Sequence, residues 1–306
     1  MTKIVLLTGF LGAGKTTFLN NILEECKENK IGVIINEYSE TCIDGELISN
    51  KGFNIIELTN GSIFCACIKD KFLDSLIAMD LYDFEYIFIE ASGLADPSNI
   101  CNIISELKKI NKIEYEYLGS VCIVDAVYFE EQLDLLSAIE RQVKHSNAAI
   151  INKVDLSTEE QICTIKNSIK AINCNINIYV TSYGKVKIKK IIKEFSNSTT
   201  DSEETTNTEA ERATTITMIT CESISKKDLE LFLEELCKFT YRIKGFCITD
   251  DGIVEVNAVS SLINIQSSNI IKNETVIVVF SSVGISIVSE VIRLSKKYYK
   301  ETVTIK

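Results

Sequence analysis

A glycine-rich segment close to the start of the chain carries the residues with the clearest chemistry. It follows the pattern Gly-x-x-x-x-Gly-Lys-Thr, with Gly9, Gly14, Lys15 and Thr16 in the fixed positions. Glycines there let backbone N–H groups surround a phosphate, the lysine reaches the terminal phosphates, and the hydroxyl can hold Mg²⁺. An apolar, strand-like run precedes the pattern and an amphipathic, helix-like run follows it. The segment therefore predicts a P-loop that binds a nucleoside di- or triphosphate.

A second motif has the chemistry to select the base of that nucleotide. Asn152-Lys153-Val154-Asp155 follows another apolar run. A carboxylate in the plane of the base can accept hydrogen bonds from guanine N1–H and the exocyclic amine, whereas adenine offers no such donor pair. The motif therefore predicts guanine and disfavours an ATP-using kinase. The residues expected to bind the nucleotide are Gly9, Gly12, Ala13, Gly14, Lys15, Thr16, Thr17, Asn152, Lys153 and Asp155.

The elements that position these motifs follow from the hydrophobic pattern. Apolar runs at 4–7, 31–36, 86–89, 120–124 and 148–151 alternate with segments of helical periodicity. This alternation predicts a parallel sheet covered by helices on both faces, with functional loops at the carboxyl ends of the strands. We therefore expect an α/β, Rossmann-like P-loop NTPase domain in which all the motifs share one site.

Polar signals stand at the ends of several runs. Residues 37–47 form an acidic loop, and a carboxylate loop at a strand end can meet a metal. Glu90 directly follows the apolar run 86–89. Ser157 and Glu160 have the spacing of a capping box, which predicts the start of a helix.

A change of composition divides the chain. Residues 196–213 are acidic, rich in Ser and Thr, and without a large apolar residue, which is typical of a flexible linker. We therefore predict a P-loop domain at 1–195, a linker at 196–213 and a smaller α+β domain at 214–306.

The overall composition excludes several classes of protein. The net charge of −11 argues against a nucleic-acid-binding protein, because neutralising phosphates needs a basic face. No apolar run reaches the roughly eighteen residues that would span a bilayer, and a strand begins too early to leave room for a signal peptide. A cytoplasmic protein without membrane contact is expected.

Cysteine and histidine usage narrows the choice of metal ligands. The eleven cysteines are scattered and odd in number, so we expect most to be buried small hydrophobes without disulfides. The single histidine, His145, is expected on the surface of a helix. A transition-metal site must then use thiolates and carboxylates.

Several segments resemble, in order and spacing, the CobW-like family of P-loop metallochaperone GTPases, whose nucleotide-binding domain is of the CobW/HypB/UreG type. They are the P-loop, Asn36-Glu37-Tyr38-Ser39-Glu40, Asn60-Gly61 before two cysteines, Glu90-Ala91-Ser92-Gly93, Val124-Asp125-Ala126 and the guanine motif. Residues 242–245 resemble the signature of the family's C-terminal domain. The resemblance implies GTP and Mg²⁺ as cofactors and delivery of zinc, cobalt or a similar metal to a client metalloprotein, by a protein that can form a homodimer.

The resemblance also implies roles for individual residues. Lys15, Thr16 and Glu90 are the implied catalytic residues, acting on the phosphates and on Mg²⁺ or water. Thr16 and Glu40 are the implied magnesium ligands. Glu40 lies in a first switch-like loop, and Glu90 begins a second. Slow hydrolysis is expected, because no arginine finger is evident near the motifs.

The implied transition-metal ligands are Glu37, Cys65 and Cys67. The family has a CxCC motif, and this chain has Ser62 and Phe64 in place of its first two cysteines. In an extended segment Cys65 and Cys67 face the same way and can share a metal with a carboxylate or with Cys42 of the acidic loop. The departure leaves a second hypothesis open, in which the metal site is lost and the protein is a GTP-switched activator of a partner metalloenzyme or corrinoid protein.

Overall fold

Two β-sheets organise the chain, one in each of its two compact units, Met1–Glu211 and Arg212–Lys306. The computed structural model describes residues 1–36, 54–58, 63–64, 68–135, 137–195, 214–259, 261–268, 273–299 and 303–306. The first unit has a parallel sheet with helices and the second a smaller antiparallel sheet with helices. The predicted fold class is therefore confirmed. The predicted linker at 196–213 lies outside the described residues.

The sheet of the first unit has seven parallel strands in the order β3-β2-β4-β1-β5-β6-β7. Their bounds are Thr2–Gly9 (β1), Ile31–Asn36 (β2), Asn54–Leu58 (β3), Tyr86–Glu90 (β4), Tyr115–Asp125 (β5), Ala148–Asn152 (β6) and Asn177–Val180 (β7). Because all seven run in the same direction, their carboxyl ends share one edge of the sheet.

The described residues of the first unit contain seven helices. They are Lys15–Glu25 (α1), Lys69–Asp80 (α2), Ile100–Asn111 (α3), Phe129–Leu135 (α4), Ser137–Lys144 (α5), Glu159–Ile172 (α6) and Ile188–Lys193 (α7). Along β1, Ile4 and Leu6 enter one hydrophobic core, while Val5 and Leu7 enter the other. Helices α2 and α3 pack into the first core, and α1 and α7 into the second. The predicted covering of both faces is confirmed.

The start of α6 differs by one residue from the prediction. Thr158 caps the helix, since its hydroxyl accepts from the backbone N–H of Gln161 and its own N–H donates to the Gln161 side chain. Ser157 belongs to the preceding turn, where its N–H donates to the carbonyl of Val154. The predicted capping pair, Ser157 and Glu160, is therefore wrong.

The expectation about the single histidine is also wrong. His145 is buried directly after α5, where the Ser120 hydroxyl donates to its carbonyl oxygen. Among the cysteines that the structure describes, as many are exposed as are buried. The buried ones are Cys26, Cys122 and Cys247, and the exposed ones are Cys163, Cys174 and Cys221.

The second unit is built on a six-stranded antiparallel sheet in the order β11-β10-β9-β12-β8-β13. The strands are Thr215–Thr220 (β8), Thr240–Thr249 (β9), Gly252–Val259 (β10), Leu262–Ser267 (β11), Thr275–Ser281 (β12) and Thr304–Ile305 (β13), and the helices are Lys226–Cys237 (α8) and Ile287–Tyr298 (α9). Apolar side chains of both helices and of all six strands share one core. None of the helices described in either unit is long and apolar enough to cross a membrane.

One carboxylate joins the two helices of the second unit. Glu235 of α8 accepts hydrogen bonds from Lys297 and Tyr298 of α9. These bonds lower the pKa of Glu235 from 4.5 to about 2. Because the pKa is lower in the folded state, the stability that this carboxylate contributes is complete above pH 4.5 and is lost as the pH falls towards 2.

We therefore expect Glu235→Gln to destabilise the second unit in a pH-dependent way. The difference in unfolding free energy from the wild type should be largest near neutral pH and shrink as urea denaturation is repeated down to about pH 3. Glu230→Gln, which changes an exposed glutamate of the same helix, serves as the control. If Glu235→Gln lowered the unfolding free energy by the same amount at every pH, the lowered pKa of Glu235 would be contradicted.

Candidate functional site

The predicted motifs meet at the carboxyl edge of the parallel sheet. Strand β1, which leads into the P-loop, lies between β4 and β5. The strand register places Leu7 beside Glu90, and Asp125 beside Asn152. The P-loop is thus flanked by the strand that carries Glu90, and the guanine motif begins at the end of the next strand but one.

Glycine is required at both ends of the P-loop. Gly9 has φ 133° and Gly14 has φ 107°, in the left-handed region that side chains disfavour. A Cβ atom on Gly9 would lie 2.2 Å from the carbonyl oxygen of Ile123, and one on Gly14 would lie 2.4 Å from Nδ2 of Asn152. The loop can therefore close tightly against β5 and β6 only with glycine at these positions.

Lys15 is buried inside the loop that it terminates. Its Nζ donates to the carbonyl oxygens of Gly9, at 2.9 Å, and Phe10, at 3.1 Å. Only 6% of the residue is exposed. A buried ammonium needs acceptors, and these two neutral carbonyls hold the charge in the cradle where phosphate oxygens are expected.

Thr16 and Glu90 join the P-loop to the end of β4. The Thr16 hydroxyl donates to Oε1 of Glu90 at 2.9 Å, and Glu90 is 4% exposed. The residue after it, Ala91, donates its N–H to the carbonyl of Leu7. Hydroxyl and carboxylate oxygens are the ligands that Mg²⁺ prefers, so this pair has the chemistry of a magnesium site.

The segment after β4, residues 91–98, is packed between the P-loop and helix α5. Gly93 lies so close to the P-loop that a Cβ atom on it would be 2.7 Å from the backbone nitrogen of Leu11. On its other side, Nε2 of Gln142 donates to the carbonyl oxygens of Gly93 and Ala95. This segment, called here the 91–98 loop, thus has its backbone fixed from two directions.

Asn152 connects the P-loop to a further loop that begins after β7. Its Nδ2 donates to the carbonyl of Ala13 at 2.9 Å, and its Oδ1 accepts from the N–H of Gly184 at 3.0 Å. The side chain is buried. Asn152 therefore holds the two loops together through their backbones, while its predicted contact with the nucleotide stays a prediction.

Two further residues of the guanine motif, Lys153 and Asp155, are less buried than Asn152. Lys153 has a left-handed backbone, φ 62°, and its Nζ forms an ion pair with Asp125 at 2.6 Å. Asp155 is exposed, and its N–H donates to the Ser182 hydroxyl. Tyr183 also has a positive φ, 57°. Backbone strain of this kind is tolerated where the surrounding structure imposes it, and here it marks both loops of the predicted base site.

Sequence reasoning missed the residues that support the site. Gln142 and Arg141 on α5, and Ser182 and Gly184 after β7, were not among the predicted residues. The loop after β7 has a usable signal, because a Ser, Tyr and Gly run at the end of a parallel strand must reach the same edge as the P-loop. No sequence signal marks the buried Gln142, since a polar residue in an amphipathic helix is expected on its solvent face.

The predicted transition-metal ligands, Glu37, Cys65 and Cys67, and the predicted magnesium ligand Glu40 lie outside the described residues. The residue at the second family cysteine position, Phe64, is described and is buried in the core beside Ile63. No group of three or more His, Cys, Asp or Glu suited to a metal occurs within the described parts of the chain.

Hydrogen bonds fix Ile63 and Phe64, the two described residues that precede Cys65. The N–H of Ile63 donates to Oδ1 of Asn36, and Nδ2 of Asn99 donates to the carbonyl of Phe64. Nδ2 of Asn36 also donates to the carbonyl of Leu58. The segment next to Cys65 is therefore tied to the ends of β2 and β3, on the same edge of the sheet as the P-loop.

Raised pKa values make three thiols elsewhere in the chain, two buried and one partly buried, unsuited to metal binding. Burial raises the pKa of Cys122 to about 12, with an opposing effect of Lys15, and raises the pKa of Cys237 to about 11. Burial also raises the pKa of Cys26. Since the thiolate is the form that binds metals, these three residues act as small packing groups.

Comparison with known proteins identifies the family. The family model described as CobW/HypB/UreG, nucleotide-binding domain, matches residues 3–180. The chain is 33% identical over 190 residues to the zinc chaperone YjiA of Escherichia coli, covering 60% of this chain and 59% of that protein. It is 30% identical over 229 residues to the zinc-regulated GTPase metalloprotein activator 1 of Dictyostelium discoideum, covering 62% and 47%. The matches thus span about half to three fifths of these relatives.

Among solved structures, the Zn(II)-bound YjiA GTPase from E. coli aligns over 97% of this chain and 98% of that chain, with 20% identity and a TM-score of 0.48. HypB from Helicobacter pylori in complex with nickel aligns over 63% and 82%, with 18% identity and a TM-score of 0.44. The family match alone covers more than half of the sequence and includes the P-loop, Glu90 and the guanine motif. The chain therefore belongs to the CobW-like family of proteins with a CobW/HypB/UreG nucleotide-binding domain.

Proposed function

We propose that this protein is a Mg²⁺-dependent GTPase of the cytoplasm that delivers or inserts zinc, cobalt or a similar metal into a client metalloprotein or cofactor pathway. The observation that carries the nucleotide part is the Asn152 bridge, which joins the P-loop to the loop after β7 beside the guanine motif. The metal part is supported by relatives named zinc chaperone and zinc-regulated GTPase metalloprotein activator.

In the proposed reaction Lys15 exchanges two carbonyl acceptors for phosphate oxygens. Its ammonium already lies within the loop, and its hydrogen bonds to charged phosphate oxygens would be stronger than those to neutral carbonyls. Helix α1 begins at Lys15, so its first N–H groups add partial positive charge at the same place. Both features would stabilise charge on the transferred phosphoryl group.

Thr16 and Glu90 are the described residues that fit a magnesium ion, and we propose Glu40 as a further ligand. When bound, Mg²⁺ neutralises charge on the phosphates. Glu90 accepts from the Thr16 hydroxyl and so holds that side chain towards the end of β4. The Thr16 hydroxyl at the start of α1 is therefore held beside the Glu90 carboxylate at the end of β4, so that both oxygens could bind one ion.

We propose that GTP orders the loops after β2 and β4, and that this order forms a metal site from Glu37, Cys65 and Cys67. Hydrolysis then releases the loops, and the metal passes to the client. The N–H of Ile63, two residues before Cys65, donates to the side chain of Asn36. Asn36 ends β2 and directly precedes Glu37. The nucleotide would therefore act on ligands that share its own edge of the sheet.

The boundaries at 1–195, 196–213 and 214–306 are proposed as the functional division of the chain. In this division the linker separates the GTPase domain from a smaller domain that recognises the client. A homodimer is proposed as the assembled form.

A second candidate function has one observation in its favour. Phe64 takes a family cysteine position and is buried in the hydrophobic core, where it cannot ligate a metal. The protein would then be a GTP-switched activator of a partner metalloenzyme or corrinoid protein that carries no metal itself.

A zinc titration of the full chain separates the two functions. Zinc affinity is measured by competition with an indicator, in the presence of Mg²⁺ and either a non-hydrolysable GTP analogue or GDP. Metal delivery predicts binding tighter by about tenfold or more with the GTP analogue, since coupling between two sites usually lies in this range.

The control variants are a pair of single cysteine substitutions. Cys65→Ser should abolish the nucleotide-dependent binding, while Cys163→Ser, which changes an exposed cysteine of α6, should leave it unchanged. Equal zinc affinity in both nucleotide states and in both variants would overturn metal delivery and favour the activator.

A further inference from the structure

Helix α5 holds the 91–98 loop through a completely buried glutamine. Nε2 of Gln142 donates to the carbonyl oxygen of Gly93 at 3.1 Å and to that of Ala95 at 3.0 Å. The residue has 0% exposure. Both partners are carbonyl oxygens, so only the amide nitrogen can face them, which fixes the orientation of the side chain.

The neighbouring residue of α5 holds the same loop by charge. Nε of Arg141 forms an ion pair with Oδ2 of Asp96 at 2.6 Å, and the Asp96 side chain is 1% exposed. The other carboxylate oxygen, Oδ1, accepts from the N–H of Ser98. Two successive residues of one short helix therefore bind four residues of the loop, directly or through Asp96.

The helix itself is fixed to the sheet at its carboxyl end. Nδ2 of Asn173, just after α6, donates to the carbonyl oxygens of Lys144 and Ser146 at 3.1 and 3.0 Å. The Ser146 hydroxyl donates to the carbonyl of Gln142, and the Ser120 hydroxyl of β5 donates to that of His145. Helix α5 is thus the fixed part of the contact.

The position of the loop matters for the nucleotide site on its opposite side. Gly93 touches the P-loop at Leu11, and the loop begins directly after Glu90. A shift of the loop backbone would move Gly93 away from the P-loop and release the peptide that follows Glu90. Displacement of catalytic groups by about 1 Å can cost roughly 100-fold in rate.

We propose that Gln142 is a positioning residue for GTP hydrolysis, which holds the 91–98 loop against the P-loop so that Glu90 and Gly93 face the terminal phosphate. This inference rests on the proposed GTPase function. GDP lacks the terminal phosphate, so its affinity depends on the P-loop and the guanine motif, which Gln142 does not contact. Loss of the Gln142 amide is therefore expected to lower kcat for GTP and to leave the affinity for GDP unchanged.

The test compares three variants of the full chain with the wild type. Gln142→Leu keeps the volume but removes the donor, and it should lower kcat by about 10- to 100-fold while the dissociation constant of GDP changes less than about threefold. Gln132→Leu, in the neighbouring helix α4, removes another buried glutamine and should leave both quantities unchanged.

A third variant supplies a readout that loss of packing would not give. In Gln142→Glu the carboxylate repels both carbonyl oxygens, whereas the protonated acid can donate to one of them. Burial favours protonation, so kcat of this variant relative to the wild type should rise as the pH falls from about 8 to about 6. Gln142→Leu should show no such rise.

The outcomes distinguish this inference from the proposed function. A wild type that hydrolyses GTP, with Gln142→Leu equally fast or with kcat and GDP affinity lost in proportion, would overturn the positioning role alone. A wild type that neither binds GDP nor hydrolyses GTP would overturn both.

Discussion

Lys15→Ala is expected to lower the rate of GTP hydrolysis by about 100- to 1,000-fold, the usual effect of removing one preorganised donor to a developing negative charge. The same change should weaken GTP binding by about 10- to 100-fold, because charge-assisted hydrogen bonds contribute about 1.5–3 kcal/mol. The physical reason is that Lys15 places its ammonium inside the P-loop, on the carbonyls of Gly9 and Phe10. Single-turnover hydrolysis and titration with a GTP analogue measure the two effects.

The matched control for this prediction is Lys30→Ala. Lys30 lies on the surface in an exposed ion pair with Asp83, so its loss should leave hydrolysis and binding unchanged. Circular dichroism before each assay shows whether the variants are folded. If Lys15→Ala bound and hydrolysed GTP like the wild type, the glycine-rich segment would not be the phosphate site.

Asp155→Asn is expected to reverse the base preference from guanine to xanthine. The carboxylate accepts from two donors of guanine, and losing both charge-assisted bonds should cost about 10²- to 10⁴-fold in GTP affinity. An amide has one acceptor and one donor. It therefore matches xanthine, which keeps N1–H but has a carbonyl oxygen where guanine has an amine.

Competition between GTP and xanthosine triphosphate measures this reversal directly. Asp83→Asn changes an exposed aspartate that precedes the amino end of β4, and this variant should keep the preference for GTP. Asp155 is itself exposed and its N–H is bonded to Ser182, so the substitution should leave the fold intact. Unchanged GTP affinity in Asp155→Asn would show that this carboxylate does not contact the base.

The shared edge of the site could be predicted because it depends only on strand direction. Apolar runs without alternation indicate buried parallel strands, and parallel strands place their carboxyl ends together. The P-loop, Glu90 and the guanine motif therefore had to converge, and the register of β1 with β4 and of β5 with β6 shows that they do.

The supporting contacts could not be predicted, because they depend on packing between distant segments. Gln142 meets Gly93 across 49 residues of sequence. Its polarity predicts a solvent position, whereas the carbonyls of the 91–98 loop satisfy its amide in the interior. The same applies to Asn152, whose partners Ala13 and Gly184 lie on either side of it in the chain.

Local patterns also left one boundary ambiguous. Ser157 with Glu160 and Thr158 with Gln161 both satisfy the spacing of a capping box. The structure selects the second pair, because the N–H of Ser157 is taken by the turn that follows Lys153. Which pair caps α6 is therefore decided by the geometry of the guanine motif, one turn earlier.

The proposed function has a nucleotide side and a metal side. The nucleotide side is built from described contacts among the P-loop, Glu90, Asn152 and the 91–98 loop. The proposed metal ligands are Glu37, Cys65 and Cys67. Phe64, at a cysteine position of the family motif, is buried in the hydrophobic core and is not a ligand. A guanine nucleotide site is the part of the proposal on which both candidate functions depend.

Calorimetric titration of the full chain with GDP and Mg²⁺, repeated in the presence of ATP, tests that claim most directly. We expect one GDP site per chain, unaffected by ATP at about 100-fold excess, because adenine offers no donor pair to the exposed carboxylate of Asp155. Displacement of GDP by ATP at equal concentration, or the absence of a GDP site, would contradict it.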